Sequence, residues 1–358
     1  MPTHRRTDRI DTFAPRLPGF SDVLAAAARI ASHAHVTPVL RSRSLDALAG
    51  CEIHFKCEQL QRTGAFKFRG ACNAVWSLDD DQAARGVVTH SSGNHGAALA
   101  LAARTRGIAC HVVVPQGAVP AKLAAIAGYG AVLHQCAPSI AAREAMCAQV
   151  QQATGAELVH PYTDPRVIAG QGTATLELLN QNGQRDDGVL DDVVRDGREI
   201  DGGMFDALLV PVGGGGLTAG TAIAAAAMSP RTQVFAAEPS GAADTFTSLQ
   251  RGELSTDFVP DTICDGLRGS LGAPNFALLQ AHRVTALTVD DSDTIAAMRL
   301  LWQRGKLLVE PSSAIAFAAV LAHRERFAGQ RIGIILSGGN VDLDALPQLF
   351  ARTHATTG

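Results

Sequence analysis

One lysine in this 358-residue chain stands where an amine can act as a nucleophile. Lys67 lies between Phe66 and Phe68, in the stretch 63–70. Apolar neighbours keep water from an amine and disfavour its charged form, which suits the side chain for Schiff-base chemistry. The alternative is an amphipathic helix start whose lysine stem packs against protein while the amine stays in solvent. Taken alone, the stretch favours that alternative.

A run of glycines later in the chain has the features of an anion-binding turn. It follows the apolar run 207–212, typical of a buried strand, and precedes an alanine-rich segment typical of a helix. Converging backbone N–H groups and the positive end of the helix would bind a phosphate there. The residues concerned are Gly213, Gly214, Gly215, Gly216 and Leu217. A flexible turn without a ligand is the alternative, but four successive glycines are costly for such a turn.

The same turn fits a dinucleotide pattern. Gly214, Gly216 and Ala219 satisfy a relaxed GxGxxA signature, and Glu238 ends the next predicted strand, where an acid would hold a ribose. An NAD-dependent dehydrogenase is therefore an alternative from another class of enzyme. It assigns no role to Lys67, and for that reason we do not favour it.

Two more polar loops follow predicted strands. The loop 91–96 offers hydroxyl and backbone N–H groups before a helix that we expect to begin at Ala97, a combination that suits a carboxylate. A plain capping loop is its alternative. Ser337 opens a third loop, 337–340, after the last predicted strand. We expect these loops and the glycine turn at the carboxyl edges of their sheets, where open α/β folds bind ligands.

Two acids bracket a stretch that suits a hard cation. Glu238 and Asp244 stand six residues apart in a predicted loop, with backbone carbonyl groups between them. Oxygen ligands of this kind bind magnesium or calcium. From the spacing alone, however, two solvated surface acids are the expected case.

The elements that would position these residues alternate between strands and helices. Runs typical of strands occur at 51–58, 87–89, 108–114, 131–135, 157–160, 207–212, 233–237, 284–289 and 332–336. Apolar strands separated by helices predict parallel sheets covered on both faces. A helix is expected to follow Lys67 from Arg69 onward. The polar stretch 181–203 interrupts the rhythm and predicts a surface insert, with an Asp-Gly hairpin inside it.

Composition excludes several classes of protein. Hydrophobic residues make up 46% and charged residues 18% of the chain, as in globular proteins. The formal net charge of −3 gives no electrostatic support for a nucleic acid partner. No apolar segment is long enough to span a bilayer, and no signal sequence is evident. Seven scattered cysteines without a CxxC pair indicate reduced, buried thiols, so we expect a cytoplasmic protein.

Together, these motifs resemble those of one family. The stretch 64–70, the loop 91–96, the glycine turn and the loop 337–340 occur in the order found in fold type II pyridoxal-phosphate (PLP) enzymes. From about Thr37 to Leu343 the chain resembles their serine racemase and threonine dehydratase branch. The resemblance implies a tryptophan-synthase-β-like α/β fold with two domains, each with a mostly parallel sheet flanked by helices. It implies a large PLP-binding domain at 1–80 plus 164–358, which carries the insert, and a small domain at 81–163.

The resemblance implies a cofactor role for several of these residues. Lys67 would bind PLP covalently and remove the substrate α-proton. The other cofactor-binding residues would be Phe66, Asn94, Gly213, Gly214, Gly215, Gly216, Leu217 and Ser337. Glu238, the carbonyl of Ala242 and Asp244 match a divalent-cation site of the racemases, for magnesium, calcium or manganese.

Substrate contacts are implied in the same way. The α-carboxylate would be bound by Ser91, Ser92, Asn94 and His95, and Arg143 would lie near the distal end of the substrate. Ser92 also matches the racemase serine that faces the substrate from the side opposite the lysine. The chain departs from the animal racemases at Tyr162, which replaces an asparagine, and at Gly269, which replaces a serine that faces the substrate. Loss of that serine weakens the expectation of a second substrate carboxylate.

The implied activity is that of a PLP-dependent dehydratase, or ammonia-lyase. It would eliminate the β-hydroxyl of serine, threonine or a 3-hydroxyaspartate-like amino acid and release a 2-oxo acid and ammonia. Should Ser92 return a proton to the opposite face, racemisation would accompany elimination. A serine or aspartate racemase is one alternative, and a regulatory binding protein, which has no need of Lys67, is another. The resemblance implies a homodimer; we expect no nucleic acid or membrane partner.

Overall fold

The structure is a computed structural model that describes residues 16–182, 194–195, 198–199, 205–255 and 257–351. Its α-helices are α1 Phe20–Ile30, α2 Arg43–Ala49, α3 Lys67–Trp76, α4 Asp80–Arg85, α5 Asn94–Arg106, α6 Pro120–Gly128, α7 Ile140–Thr154, α8 Pro165–Asn182, α9 Gly216–Met228, α10 Asp244–Arg251, α11 Ala273–Ala281, α12 Asp291–Leu300, α13 Pro311–Ala322, α14 Arg324–Phe327 and α15 Leu346–Ala351. Its strands are β1 Val39–Leu40, β2 Glu52–Cys57, β3 Val87–His90, β4 Cys110–Pro115, β5 Val132–Cys136, β6 Glu157–Leu158, β7 Val194–Arg195, β8 Arg198–Glu199, β9 Ala207–Pro211, β10 Gln233–Pro239, β11 Thr285–Val289 and β12 Arg331–Leu336.

The larger sheet has six strands in the order β1-β2-β12-β9-β10-β11. Strand β1 runs antiparallel to β2, and the remaining pairs of this sheet are parallel. Strand β9 is buried at every residue because helices cover both faces of the sheet. Leu209 packs in the core that includes α13, while Leu208 packs in the opposite core with α8 and α9.

The smaller sheet has the order β5-β4-β3-β6, and its strands are parallel. Apolar cores with residues of α5 on one side and α7 on the other cover its two faces. Two mostly parallel sheets flanked by helices confirm the predicted α/β class. The domain boundaries given above stay a prediction. Among the described residues, none of the helices has both the length and the apolar character needed to cross a bilayer.

Some predicted boundaries were wrong. Helix α3 begins at Lys67 rather than Arg69, and α5 begins at Asn94 rather than Ala97. Both chemically important stretches therefore enter the first turn of a helix, where backbone N–H groups have no intrahelical partner. Strand β6 ends at Leu158, two residues early. Most of the predicted insert 181–203 lies outside the described residues, but β7 and β8 pair antiparallel, as the Asp-Gly signature predicts.

Candidate active site

The chain has four lysines, all in the described part, and their surroundings differ. Lys56 and Lys122 form ion pairs with carboxylates. Lys306 is exposed and donates to a backbone carbonyl. Lys67 is half-buried, and no carboxylate of the described residues lies within ion-pair distance of its amine. It is therefore the lysine best placed to react as a free amine.

Two contacts hold the amine of Lys67. Its Nζ donates to the carbonyl of Pro161 at 3.0 Å, and it lies 5.1 Å from the centroid of the Phe66 ring. Burial lowers the pKa of Lys67 to about 8, although the more distant carboxylate of Glu310 acts in the opposite direction. A larger fraction of the side chain is then neutral near pH 7 than for an ordinary lysine, as a nucleophile or general base requires.

The glycine turn connects β9 to α9. Gly215 caps the helix with a φ of +89°, a left-handed conformation that favours glycine. A Cβ on Gly214 would lie 2.3 Å from the Tyr162 ring, and one on Gly216 would lie 2.9 Å from the Tyr162 carbonyl oxygen. Larger residues are therefore excluded at these two positions. The first N–H groups of α9 remain free for an anion beside the turn.

The connection that follows β6 reaches both parts of the site. Pro161 accepts from Lys67, and the next residue, Tyr162, packs its ring on the glycine turn. Asn275 Nδ2 donates to the carbonyl of Tyr162 at 2.9 Å and also to that of Gly214. A Cβ on Gly269 would lie 3.7 Å from the Tyr162 ring, so Tyr162 and Gly269 face each other at one wall.

The loop after β12 pairs directly with the lysine stretch. The N–H of Phe66 donates to the carbonyl of Ser337 at 2.9 Å, and the N–H of Gly339 donates to that of Gly64 at 3.0 Å. Ser337 is buried, and its hydroxyl lies 3.5 Å from the carbonyl of Ser312. Sequence-distant loops are thereby fixed beside Lys67.

Asn94, at the start of α5, joins this arrangement through Glu310. Asn94 Nδ2 donates to the two carboxylate oxygens of Glu310 at 3.0 and 3.3 Å, and Asn94 Oδ1 accepts from Asn340 Nδ2 at 3.0 Å. Glu310 is buried and also accepts the N–H of Asn340 at 3.1 Å. Burial raises its pKa to about 7. The predicted cofactor residue Asn94 is therefore held by an acid that the sequence patterns did not indicate.

The remaining predicted substrate residues lie at the ends of β3 and nearby helices. Ser91 and Ser92 are half-buried in the loop before α5. His95 is buried, and its Nε2 lies 3.4 Å from the carbonyl of Val159, while its buried Nδ1 has no hydrogen-bond partner among the described residues. Arg143, on α7, has a buried Nε without a hydrogen-bond partner. Burial lowers the pKa of His90, the last residue of β3, and the charge of Arg143 lowers it further.

Glu238 and Asp244 lie on regular elements rather than in the predicted loop. Glu238 belongs to β10 and is fully buried; its oxygens accept the N–H groups of Thr245, at 2.8 Å, and Phe246, at 2.7 Å. Asp244 begins α10, and its Oδ2 accepts the N–H of Leu271 at 2.7 Å. Its Oδ1 is buried without a partner. Ala242 lies in the 3₁₀ turn between them.

These acids fit a cation better than they fit a ribose. Both oxygens of Glu238 are used inside the protein, so a nucleotide has no access to them. Burial raises the pKa of Glu238 to about 8 and that of Asp244 to about 6. No described cluster of three or more His, Cys, Asp or Glu side chains is placed to hold a metal, so a cation here would need carbonyl or water ligands as well.

Comparisons with known proteins agree with this geometry. Residues 30–338 match the family model described as pyridoxal-phosphate dependent enzyme. The chain is 44% identical to β-hydroxyaspartate dehydratase from Paracoccus denitrificans, over 92% of this chain and 99% of that protein. The crystal structure of serine racemase from Dictyostelium discoideum superposes with a TM-score of 0.82 and 43% identity, covering 91% of this chain and 99% of that one. The crystal structure of T.th. threonine deaminase gives a TM-score of 0.82 and 42% identity, covering 91% of this chain and 99% of that one.

This chain therefore belongs to the pyridoxal-phosphate dependent enzymes. The predicted family and cofactor are confirmed, and the NAD-dependent alternative is dropped. The residues fit PLP: an amine that forms no ion pair within the described part of the chain lies near a glycine turn that excludes side chains and offers free N–H groups. The roles of the individual site residues stay predictions.

Proposed function

We propose that this enzyme is a PLP-dependent dehydratase that converts a 3-hydroxy amino acid to a 2-oxo acid and ammonia. The observation that carries the proposal is Lys67, whose amine forms no ion pair among the described residues. Its pKa is lowered to about 8, and it lies among loops that can bind the rest of the cofactor. The names of the relatives, a β-hydroxyaspartate dehydratase and a threonine deaminase, support elimination of a β-hydroxyl.

The binding roles are those that the resemblance implies, and the contacts that bring these loops together beside Lys67 support them. Lys67 would bind the cofactor, and the N–H groups of the glycine turn 213–217 would hold its phosphate. Asn94 would contact the ring oxygen, Phe66 the ring face, and Ser337 the ring nitrogen. When bound, PLP supplies an electron sink for the negative charge that develops at the substrate α-carbon.

The chemical roles belong to a small number of groups. The N–H and hydroxyl groups of the loop 91–96 would orient the substrate α-carboxylate. Lys67 would then remove the α-proton, for which its lowered pKa suits it. The β-hydroxyl would leave as water. Another water molecule would then hydrolyse the released enamine to the 2-oxo acid and ammonia. Tyr162 and the small Gly269 shape the wall next to the glycine turn.

We propose 3-hydroxyaspartate as the preferred substrate. Arg143 has an orphaned Nε and forms no ion pair among the described residues, so its charge is available to a second carboxylate. The test is a panel of serine, threonine and 3-hydroxyaspartate assayed for oxo acid and ammonia. Turnover of none of them would refute the dehydratase. Equal activity on all three, with no effect of Arg143→Gln, would refute the preference.

Racemase activity is a second candidate. It is supported by the 43% identity to a serine racemase and by Ser92, whose half-buried side chain lies in the loop before α5. Ser92 would return a proton to the face opposite Lys67. We expect wild type to form the inverted enantiomer. Ser92→Ala should form none, while its elimination activity should fall only in part, because the other groups of the loop 91–96 still bind the α-carboxylate. Absence of the enantiomer in wild type would remove this candidate.

We also propose a divalent cation, magnesium, calcium or manganese, at Glu238, the Ala242 carbonyl and Asp244. The partnerless Oδ1 of buried Asp244 supports it, as does the absence of a cationic side chain paired with either acid among the described residues. The cation would stabilise the turn between β10 and α10. It would have no direct part in the reaction.

A cytoplasmic homodimer completes the proposal. All seven cysteines are free and buried, which suits a reducing compartment. Analytical ultracentrifugation tests the assembly, and a monomer at micromolar concentration would refute the dimer.

A further inference from the structure

A buried ion network lies beside α3, two residues beyond Lys67. Arg69 is fully buried and binds two carboxylates. Its Nε and Nη2 donate to Glu58 at 2.7 and 2.8 Å, and its Nη1 and Nη2 donate to Glu177, both at 2.7 Å. Lys56, also fully buried, donates to Glu177 at 2.7 Å. Two cations and two carboxylates thus balance formally.

Stability alone does not explain this network. Removing charges from water offsets most of their mutual attraction, and apolar residues of similar volume are often as stable. The position of Arg69 gives a different reason. A helix turns by about 100° per residue, so side chains two positions apart project from nearly opposite sides. Arg69 therefore anchors one side of α3, while Lys67 projects from the other side and donates to the Pro161 carbonyl.

Arg69 connects α3 to a second element besides α8. Helices α3 and α8 cross closely at two glycines: a Cβ on Gly170 would lie 2.6 Å from Gly70 Cα. Besides the bonds of Arg69, two hydrogen bonds join these helices, at 3.1 and 2.7 Å. Arg69 binds Glu177 on α8 and Glu58 in the 3₁₀ turn after β2. Its contacts therefore fix α3 to two separate elements.

We propose that Arg69 is a positioning residue that fixes the rotation of α3 and thereby aims Lys67 at the glycine turn. This inference rests on the proposed role of Lys67 in binding the cofactor. Nζ stands at the end of a long side chain, so a small rotation of α3 would separate it from the Pro161 carbonyl. A misplacement of about 1 Å can lower a rate by roughly a hundredfold.

The test is Arg69→Lys, which keeps the charge but loses the planar fork that binds two carboxylates. We expect kcat to fall roughly ten- to a hundredfold, while KM changes less than about threefold. The pH midpoint for PLP uptake by the full-length apoprotein should rise, because a misaimed amine regains water. The titratable groups that face Lys67, namely Glu310, His95 and His160, are unchanged in this variant.

Lys56→Gln is the matched control. It removes a buried charge from the same network. Lys56 Nζ donates to Glu177, Gln181 and the Thr37 carbonyl at 2.7 to 2.8 Å. Lys56 belongs to β2 rather than α3, so thermal stability should fall while kcat and the uptake midpoint stay at the wild-type values.

The results of these measurements distinguish a positioning role of Arg69 from a purely structural one. If Arg69→Lys and Lys56→Gln lose similar stability and neither moves kcat or the midpoint, the network is only structural and the inference is overturned. If Arg69→Lys does not fold, Glu58→Gln, which weakens the same fork without changing its shape, should show the same rise in the midpoint; an unchanged midpoint would overturn the inference. A wild type that takes up no PLP would overturn the proposed function and this inference together. A wild type that binds PLP, with a normal Arg69→Lys, overturns the inference alone.

Discussion

Replacing Glu310 by glutamine should make the protein less stable in acid and more stable in base. Glu310 is 4% exposed and holds Asn94 and Asn340, and no cationic side chain of the described residues is in hydrogen-bond contact with it. Glu310→Gln removes the charge and nearly keeps the shape. The variant therefore isolates the free energy of holding a carboxylate in this environment.

The magnitude follows from the pKa. Burial raises the pKa of Glu310 from 4.5 to about 7, which corresponds to about 3 kcal/mol. Between these values the folded protein binds more protons than the unfolded chain, so the free energy of unfolding falls as the pH rises through this window. The contribution of Glu310 to the free energy of unfolding is therefore fully present below pH 4.5 and is lost above about pH 7.

The amide of glutamine lowers the stability by less than the charge of the carboxylate does. With its oxygen in place of Oε2, glutamine still accepts from Asn340 N and Asn94 Nδ2, at 3.1 and 3.3 Å. Its nitrogen, in place of Oε1, would face Asn94 Nδ2 at 3.0 Å, donor against donor. One poor contact costs about 1 kcal/mol. We therefore expect the variant to be about 1 kcal/mol less stable near pH 4.5 and about 2 kcal/mol more stable at pH 8.5.

Urea unfolding of the PLP-free proteins, followed by tryptophan fluorescence at several pH values, measures this difference. Glu325→Gln, an exposed acid on α14, is the control and should show no such pH dependence. A constant difference between Glu310→Gln and wild type from pH 4.5 to 8.5 would refute the reasoning, since the carboxylate would then titrate equally in the folded and unfolded states.

Three further predictions concern the glycine turn, the half-buried His160 and the acid pair. Gly214→Ala brings a Cβ within 2.3 Å of the Tyr162 ring, so PLP affinity in equilibrium dialysis should fall at least about tenfold. The control is Gly128→Ala, whose Cβ would have no atom within 4 Å, and it should leave PLP affinity unchanged. Burial lowers the pKa of His160 from 6.5 to about 3, so unfolding free energy should fall below pH 6.5 by up to about 1.4 kcal/mol per pH unit. His160→Asn should reduce that slope in urea titrations, and identical slopes would contradict the argument. Chelation should lower the Tm of wild type but not of Asp244→Asn; an equal response of both proteins would remove the cation.

The parts of the site that could be predicted are local in sequence. Lys67 with its two phenylalanines and the glycines between a strand and a helix are short patterns that report their own chemistry. The contacts of Glu310 could not be predicted in this way, because Glu310 lies 216 positions from Asn94 in the sequence. The two residues meet only because three segments converge: the loop after β3, the loop after β12 and the residues before α13. No local pattern distinguishes Glu310 from a surface acid.

The two misplaced helix starts have a related cause. Prediction of a helix start depends on a capping side chain, and α3 has Phe66 at that position, with no side-chain cap. The start is instead fixed by a hydrogen bond from the Phe66 N–H to the carbonyl of Ser337, in the loop after β12. Asparagine is a residue type that commonly caps helices, but Asn94 occupies the first turn of α5, where its side-chain amide can reach Glu310.

The central claim is that Lys67, among the four lysines of the chain, binds PLP. Borohydride reduction of the purified holoprotein, followed by proteolysis and mass spectrometry, locates the attached group. We expect one pyridoxyl phosphate per chain, on the peptide that contains Lys67, and none on Lys67→Ala. Attachment to Lys56, Lys122 or Lys306, or an unmodified Lys67 in an active preparation, would contradict the account.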